Sequence, residues 1–283
     1  QPLDAVITNG GADPYELARL LGYQLLGTAE AGRPLRLLLR WQALRDVPGD
    51  PDYAFFAQLR DQRGFTWAQA DANGYAVVDW QPGVVVLQWL TLSLPPDLPP
   101  REYDLWLGLQ DRGTGRSLPV VGLPGIAGVL AQRLIPMPAA APPTSETFAV
   151  PNPSALDIAG VFILRGYEVS PRFGRPGERL HVSLFWQAQK VPPADYRLSL
   201  WLVAPAGARI DLGTRQPLEG EYPTGRWRAG QWVRDRFDLV VPTQVPPGLY
   251  RLFAAWQDAR GVRLGTADSS QLALGEVYVA GHE

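Results

Sequence analysis

The feature that most constrains this chain is an internal repeat. The segment Leu180–Ala188 (LHVSLFWQA) is a near-copy of Leu35–Ala43 (LRLLLRWQA), and both segments end in Trp-Gln-Ala. Other landmarks recur in the same order: Gly22-Tyr23 and Gly166-Tyr167, Asp52-Tyr53 and Asp195-Tyr196, Trp80-x-x-Gly83 and Trp227-x-x-Gly230, Pro99-Pro100-x-x-Tyr103 and Pro246-Pro247-x-x-Tyr250, Gln110-Asp111 and Gln257-Asp258. The offset between partners stays between 143 residues (195 minus 52) and 147 residues (227 minus 80). A repeat with so constant an offset predicts two domains related by internal duplication.

The repeated segment has the periodicity of a β-strand. Apolar side chains occupy every second position in both copies: Leu35, Leu37, Leu39 and Trp41 in the first, and Leu180, Val182, Leu184 and Trp186 in the second. A period of two is typical of a half-buried strand. Glu16–Leu26 has leucines at helical spacing, but its counterpart, Val161–Val169, has the pattern of a strand, and we expect both to be strands.

Short apolar runs of this kind follow one another along the whole chain. Gly and Pro contribute 29 and 28 residues and separate the runs as turns do. Seven or eight strands in each copy predict an all-β protein with two tandem antiparallel β-sandwich domains, immunoglobulin-like or jelly-roll-like. We place the domains at residues 1–136 and 148–283, joined by a Pro/Ala-rich linker at 137–147.

Composition excludes several classes of protein. A net charge of −2 provides no basic surface for nucleic acid, and without cysteine neither a disulfide framework nor a thiolate metal site can form. No apolar run reaches the roughly 18–20 residues that span a bilayer, so we expect no membrane insertion by this segment itself. The chain begins at Gln1 and its one methionine is Met137, from which we expect a processed product or a piece of a larger protein.

The sequence contains no recognisable reaction centre. Its two histidines, His181 and His282, belong to no zinc-binding motif, and there is no G-x-S-x-G elbow, P-loop or dinucleotide fingerprint. We expect His181 to point outward from its strand. Many carboxylates lie in turns, and Asp46, Asp50 and Asp52 could hold calcium but lack the spacing of a calcium loop. The sequence therefore predicts a protein that is not an enzyme, with no catalytic residue, metal or cofactor.

The ten tryptophans are the remaining unusual feature of the composition. Trp41 and Trp186 share a face with leucines and are predicted core residues, while Trp80 and Trp227 mark turns and are predicted packed corners. Four aromatic residues have the opposite parity from the inner set of their strands: Trp106, Trp201, Phe253 and Phe185. Outward aromatic rings can stack on sugar rings, so these four form a candidate sugar platform. Contact between the domains, or with a neighbouring protein, is the alternative interpretation.

The repeated landmarks also carry a family resemblance. The series Gly-Tyr, Trp-Gln-Ala, Asp-Tyr, Trp-x-x-Gly, Pro-Pro-x-x-Tyr and Gln-Asp resembles the soluble region appended to bacterial multi-spanning membrane glycosyltransferases. Those enzymes are similar to the dolichyl-phosphate-mannose–protein mannosyltransferases. The resemblance covers both copies and is closer in the second, through Tyr222-Pro223-Thr224 and Trp227. In such enzymes the chemistry belongs to the membrane portion, so no catalytic residue is carried over.

Three functions remain open at the level of sequence. The first is a non-catalytic, extracytoplasmic module, at the cell surface or secreted, that binds a glycan or a neighbouring protein surface as an accessory region of a membrane glycosyltransferase-like protein. The second is a structural cell-surface or filament-forming repeat whose aromatic residues make subunit contacts. The third is an unrecognised glycoside hydrolase, because a pair of catalytic carboxylates leaves no local motif.

Overall fold

The computed structural model describes residues 1–11, 13–49, 51–141, 143, 148–265 and 271–281, and it describes the backbone alone at 124–127. The chain divides into two compact units, Gln1–Ala139 and Ala140–Glu283. In the described residues, regular structure consists of β-strands and three short 3-10 helices. The fold is therefore all-β, as the sequence predicts. None of these helices is long and apolar enough to cross a membrane.

The first unit folds into two sheets. Its strands are β1 (Pro2–Thr8), β2 (Glu16–Leu26), β3 (Pro34–Ala43), β4 (Tyr53–Arg60), β5 (Thr66–Ala72), β6 (Val85–Ser93), β7 (Tyr103–Asp111), β8 (Arg116–Ser117), β9 (Pro119–Val120), β10 (Leu123–Ala127) and β11 (Val129–Leu134), with a 3-10 helix at Val77–Asp79. One sheet has the order β10-β9-β1-β2-β3-β6. The other has the order β11-β7-β4-β5, with β8 paired to β7. The ladders are antiparallel.

The second unit also folds into two sheets. Its strands are β12 (Pro153–Ile158), β13 (Phe162–Ser170), β14 (Phe173–Gly174), β15 (Arg179–Ala188), β16 (Arg197–Val203), β17 (Arg209–Arg215), β18 (Trp232–Val240), β19 (Gly248–Gln257) and β20 (Leu272–Val279), with 3-10 helices at Pro217–Gly220 and Thr224–Arg226. The sheet orders are β12-β13-β15-β18 and β14-β20-β19-β16-β17. The short β14 runs parallel to β20, and the other ladders are antiparallel.

The two units share a strand order in both of their sheets. The run β1-β2-β3-β6 has the same connectivity as β12-β13-β15-β18, and β11-β7-β4-β5 has that of β20-β19-β16-β17. The register also agrees, since Trp41 pairs with Val86 and Trp186 pairs with Val233. Equivalent positions in β6 and β18 therefore differ by 147 in residue number (233 minus 86). The prediction of a strand at Glu16–Leu26, despite its helical spacing, is confirmed.

Each unit buries its own hydrophobic core between its two sheets. Trp41 and Trp186 are both completely buried, which confirms them as core residues. The Trp41 ring centroid lies 5.8 Å from that of Phe55 in the facing sheet, and the Trp186 ring centroid lies 4.9 Å from that of Trp256. Aromatic contacts between facing sheets, together with alternating strands, give each unit a β-sandwich-like architecture.

The repeated Pro-Pro-x-x-Tyr motif forms the same hydrogen bond in both units. The Tyr103 hydroxyl donates to the Pro99 carbonyl at 3.1 Å, and the Tyr250 hydroxyl donates to the Pro246 carbonyl at 2.8 Å. Burial raises the pKa of the Tyr103 phenol, so this hydroxyl keeps its proton and remains a donor. In both units the bond fixes the chain where it enters the strand, β7 or β19.

The repeated Trp-x-x-Gly motif forms a second shared corner. Trp80 donates through Nε1 to the Tyr75 carbonyl at 3.0 Å, and Trp227 donates to the Tyr222 carbonyl at 3.1 Å. Both indoles are buried, at 2% and 1% exposed, which confirms the prediction of packed corners. A buried indole generally needs a partner for its N–H, and the backbone five residues upstream supplies one here.

Candidate functional site

Two members of the predicted sugar platform, Trp201 and Phe253, lie side by side. They pair across β16 and β19, with ring centroids 6.0 Å apart and ring planes 12° apart. Trp201 nevertheless exposes only 1% of its surface. The guanidinium groups of Arg209 and Arg263 lie 4.1 and 5.0 Å from its ring centroid. The expectation that this ring offers an open face to a sugar is therefore wrong.

Phe185 lies on β15, in the other sheet of the second unit, and its ring is also covered. It is 4% exposed. The Phe148 ring centroid lies 6.3 Å from that of Phe185, and the Arg234 guanidinium lies 5.1 Å from it. The chain thus covers Phe185 with its own side chains, and the expectation of an open ring is wrong here too.

Trp106 lies on β7 of the first unit and is half-buried. The Arg60 guanidinium lies 5.2 Å from its ring centroid, and partial burial lowers the pKa of Arg60. Phe185 and the Trp201–Phe253 pair lie in the two different sheets of the second unit, and Trp106 belongs to the first unit, so no single sheet face presents all four residues as the predicted platform requires. Strand parity predicts the face of a side chain, but it does not predict the long arginine stems that pack over an outward ring.

An open aromatic ring of the first unit, that of Trp89, lies instead on β6. Val85, Leu87 and Trp89 alternate with buried residues along this strand and are 48%, 58% and 55% exposed. We call these three residues the β6 strip. Sequence reasoning missed the strip, although the sequence carried a signal for it. Apart from Gln88, the run VVVLQWL is apolar at both parities. A strand that is apolar on both faces exposes an apolar outer face, which is typical of an interaction surface.

Trp89 forms part of the wall of an open cleft of about 810 Å³. The cleft lies where the turn after β2 meets the outer face of β3 and β6. Its lining residues are Leu26, Gly27, Thr28, Glu30, Arg33, Pro34, Arg36, Trp89 and Thr91. The cleft thus combines one exposed aromatic ring with hydroxyl, carboxylate and guanidinium groups. Such groups can hydrogen-bond to the hydroxyls of a ligand whose apolar face rests on the ring.

The charges around the cleft are unbalanced. Glu30 and Arg33 form an ion pair, with 3.4 Å between Glu30 Oε1 and Arg33 Nε, so these two charges largely offset each other. Arg36 and Arg40 point outward from β3 and have no hydrogen-bond or ion-pair partner among the described residues. Neither β3 nor β6 contains an aspartate or a glutamate. The outer face beside Trp89 is therefore positively charged.

The corresponding face of the second unit has a different character. The positions of Leu87 and Trp89 are occupied there by Arg234 and Arg236. Phe148 covers the β15–β18 face, with its ring centroid 5.8 Å from that of Trp232. An open tryptophan beside unpaired arginines is thus a feature of the first unit, and the second unit does not repeat it.

A second exposed aromatic patch lies at the edge of the second unit. Phe173 and Tyr278 are 52% and 46% exposed, with ring centroids 5.8 Å apart and planes 12° apart. Leu249, which pairs with Tyr278, is 46% exposed. This patch is apolar across three strands, and it provides a useful comparison for experiments on Trp89.

Two buried carboxylates take part in structural networks. Asp61 accepts from Arg101 at 2.9 Å and from the Trp67 Nε1 at 3.0 Å. Asp235 accepts from Arg215 at 2.6 Å and from the Leu218 backbone N–H at 2.8 Å. In each network an arginine and a further N–H donor satisfy the buried carboxylate, and these hydrogen bonds tie loops to strands.

The other predicted polar residues lie at the surface. His181 is half-exposed on β15, with its Nδ1 2.7 Å from Asp238 Oδ1, which confirms it as an outward strand residue. Asp46 and Asp52 are exposed, and Asp50 lies outside the described residues. In the described part of the chain, no three His, Asp or Glu side chains are grouped closely enough to hold a metal ion.

Comparisons with known proteins assign no family. No family model matches the sequence, and no curated protein matches it. Among solved structures, the chain is similar to a Niemann-Pick type C2 protein from the Japanese carpenter ant, at 8% identity and a TM-score of 0.33, covering 44% of this chain and 98% of that one. It is also similar to a beta-glucosidase from Listeria innocua in complex with glucose, at 17% identity and a TM-score of 0.28, covering 43% of this chain and 16% of that one. TM-scores this low carry no argument about ligand or activity.

Proposed function

We propose that this chain is a non-catalytic binding module that holds a glycan in the cleft beside Trp89. The observation that carries the proposal is the exposure of Trp89, 55%, in a cleft whose other side chains are largely polar. An indole left half-exposed has a ring available for contact with a ligand. Thr28, Thr91 and Arg36 place donors and acceptors around it.

Carbohydrates fit this combination of groups. A pyranose ring has an apolar face that stacks on an aromatic ring, while its hydroxyls need hydrogen-bond partners around the rim. One stacked ring contributes on the order of 0.5–1.5 kcal/mol beyond area burial. With a single ring and an open cleft, we expect dissociation constants of about millimolar to high micromolar. Binding of this strength suits a module that acts on long or multivalent glycans.

Features of the fold and of the repeated motifs support a broader proposal about the origin, the fold type and the location of this module. The matching strand orders and the two shared corners support descent of the units from a duplicated domain. The tyrosine hydroxyl bonded to a carbonyl four residues upstream supports an immunoglobulin-like form of the sandwich, in which such a tyrosine corner is a hallmark. The resemblance of the repeated landmarks supports an extracytoplasmic accessory region of a membrane glycosyltransferase-like protein.

A protein contact is the second candidate function, and the β6 strip favours it. Val85 and Leu87 extend the apolar surface away from the cleft along an outermost strand. A structural repeat that assembles into filaments would bury this strip against a neighbouring subunit. Sedimentation equilibrium at increasing concentration tests this candidate, because it requires self-association that Leu87→Lys abolishes.

A glycan array carrying neutral and acidic polysaccharides tests the proposed function. The wild-type chain, Trp89→Ala and Tyr278→Ala are compared on the same array. We expect wild type and Tyr278→Ala to bind the same glycans and Trp89→Ala to lose them. Absence of binding by the wild-type chain would contradict a glycan-binding function. Loss of binding in Tyr278→Ala with retention in Trp89→Ala would place the site on the Phe173–Tyr278 patch instead.

A further inference from the structure

We infer that the ligand of the Trp89 cleft is an acidic glycan, a chain that carries hexuronate carboxylates. This inference rests on the proposed function and adds the chemical class of the ligand. It is carried by the arrangement of Arg36 and Arg40 around Trp89.

The register of β3 and β6 places Trp89 between the two arginines. Leu38 pairs directly with Trp89, while Arg36 pairs with Thr91 and Arg40 pairs with Leu87. All of these positions have the same parity, so Arg36 and Arg40 lie diagonally on either side of the indole. The two arginines are four positions apart along β3, roughly 13 Å at about 3.3 Å per residue. A ligand that reaches both guanidinium groups while stacking on Trp89 must extend over more than one sugar ring.

The charge of this surface is available to a ligand. Arg36 and Arg40 have no ion-pair partner within the described ranges, and their own strands carry no carboxylate. Glu30, the carboxylate that lines the cleft, has Arg33 beside it as a counter-ion. A guanidinium binds a carboxylate in a planar, two-pronged geometry that a sugar hydroxyl cannot match. The face therefore discriminates in favour of sugars that carry a carboxylate.

The second unit lacks this arrangement at the equivalent positions. His181 and Phe185 stand there in place of Arg36 and Arg40. Asp238 lies 2.7 Å from His181 and brings a carboxylate onto the same face. Arg234 and Arg236 also lie on this face, but Phe148 covers it and it offers no open tryptophan. Acidic glycans are therefore expected to bind to the first unit and not to its counterpart.

Isothermal titration calorimetry with matched ligands tests the inference. The probes are oligogalacturonate, oligomannuronate and oligoglucuronate, each as the free acid and as its methyl ester. The ester keeps the ring and removes the charge. We expect at least one free acid to bind about tenfold or more tightly than its own ester. The affinity of that acid, and not that of its ester, should fall as salt is raised, because exposed charges are screened.

The double variant Arg36→Gln/Arg40→Gln identifies the source of the preference. We expect it to bind acid and ester alike, whereas Arg116→Gln, which removes an exposed arginine of the same unit, keeps the preference. Equal binding of acid and ester by the wild-type chain would overturn the inference and leave the proposed function standing. Absence of binding to every acid and ester, and to the neutral glycans of the array, would overturn both.

Discussion

Trp186 and Trp89 differ in what surrounds the indole, and this difference decides their roles. Trp186 is completely buried among aromatic side chains, with Trp256 at 4.9 Å and Phe162 at 6.5 Å between ring centroids. Trp89 is 55% exposed beside polar groups. The first therefore stabilises the fold, and the second is available to a ligand.

We expect Trp186→Ala to reduce the free energy of unfolding of the second unit by about 3–5 kcal/mol, the range for removing a large buried aromatic side chain. Trp186→Phe is expected to cost less, on the order of 1–2 kcal/mol. The Trp186 Nε1–H has no hydrogen-bond partner among the described residues, so phenylalanine sacrifices no such bond. Urea unfolding measures both values. A loss below about 1 kcal/mol for Trp186→Ala, as exposed sites commonly show, would contradict its place in the core.

We expect Trp89→Ala to leave the free energy of unfolding within about 0.5 kcal/mol of the wild-type value, as is usual for surface positions. The same variant should lose roughly tenfold or more in glycan affinity, since about 1.4 kcal/mol of stacking and burial corresponds to that factor. Urea unfolding and calorimetric titration provide the two numbers. A large loss of stability would show that the ring supports the sheet, and an unchanged affinity would show that no ligand rests on it.

At the scale of the elements, the two tyrosine corners are equivalent anchors of β7 and β19. Each hydroxyl donates one hydrogen bond to a proline carbonyl, and each ring is buried. The bond is largely removed from water. If the hydroxyl were lost, water could not replace it as the partner of the proline carbonyl.

Tyr103→Phe and Tyr250→Phe are each expected to cost about 1–2 kcal/mol, because each removes the hydrogen bond to the proline carbonyl and leaves the ring in place. At Tyr103 the change also removes the interaction of the hydroxyl with the Arg101 side chain, so its cost is expected at the upper end of that range. Thermal and urea unfolding measure the cost. Tyr15→Phe is a suitable control, since no hydrogen bond of its hydroxyl is found in the described part of the chain. A cost at only one of the two corners would contradict their equivalence.

The strands and the core could be predicted from the sequence, whereas the candidate site left only a partial signal there, the largely apolar run VVVLQWL of β6. Alternation of apolar residues assigns Trp41 and Trp186 to the inner face, where the apolar side chains of both sheets form the core. The outer face is decided by packing that alternation does not encode. The side chains of Arg209 and Arg263 cover the ring of Trp201. Those of Phe148 and Arg234 cover the ring of Phe185. Trp89 remains exposed because no such side chain covers it.

On the scale of the whole molecule, the two units have separate hydrophobic cores and different outer faces. The core of the first unit and the core of the second form distinct clusters of buried residues. The open tryptophan with unpaired arginines belongs to the first unit, and the covered, charged face belongs to the second. In this account the first unit carries the binding site.

Because the cores are distinct, we expect Trp186→Ala to weaken protection from amide hydrogen exchange in β12–β20 and to leave β1–β11 nearly unchanged. Local opening free energies follow the packing of the unit concerned. Hydrogen exchange followed by mass spectrometry resolves the two halves of the chain. An equal loss of protection in both would contradict separate cores.

The central claim, that a glycan rests on Trp89, is tested most directly by nuclear magnetic resonance of the indole N–H groups. The ten tryptophans give one such signal each, and Trp89→Phe assigns that of Trp89. On titration with a glycan bound in the array, we predict that the Trp89 signal shifts with saturation while those of the buried Trp41 and Trp186 stay in place. A titration in which the Trp89 signal does not move while the glycan binds would contradict the account.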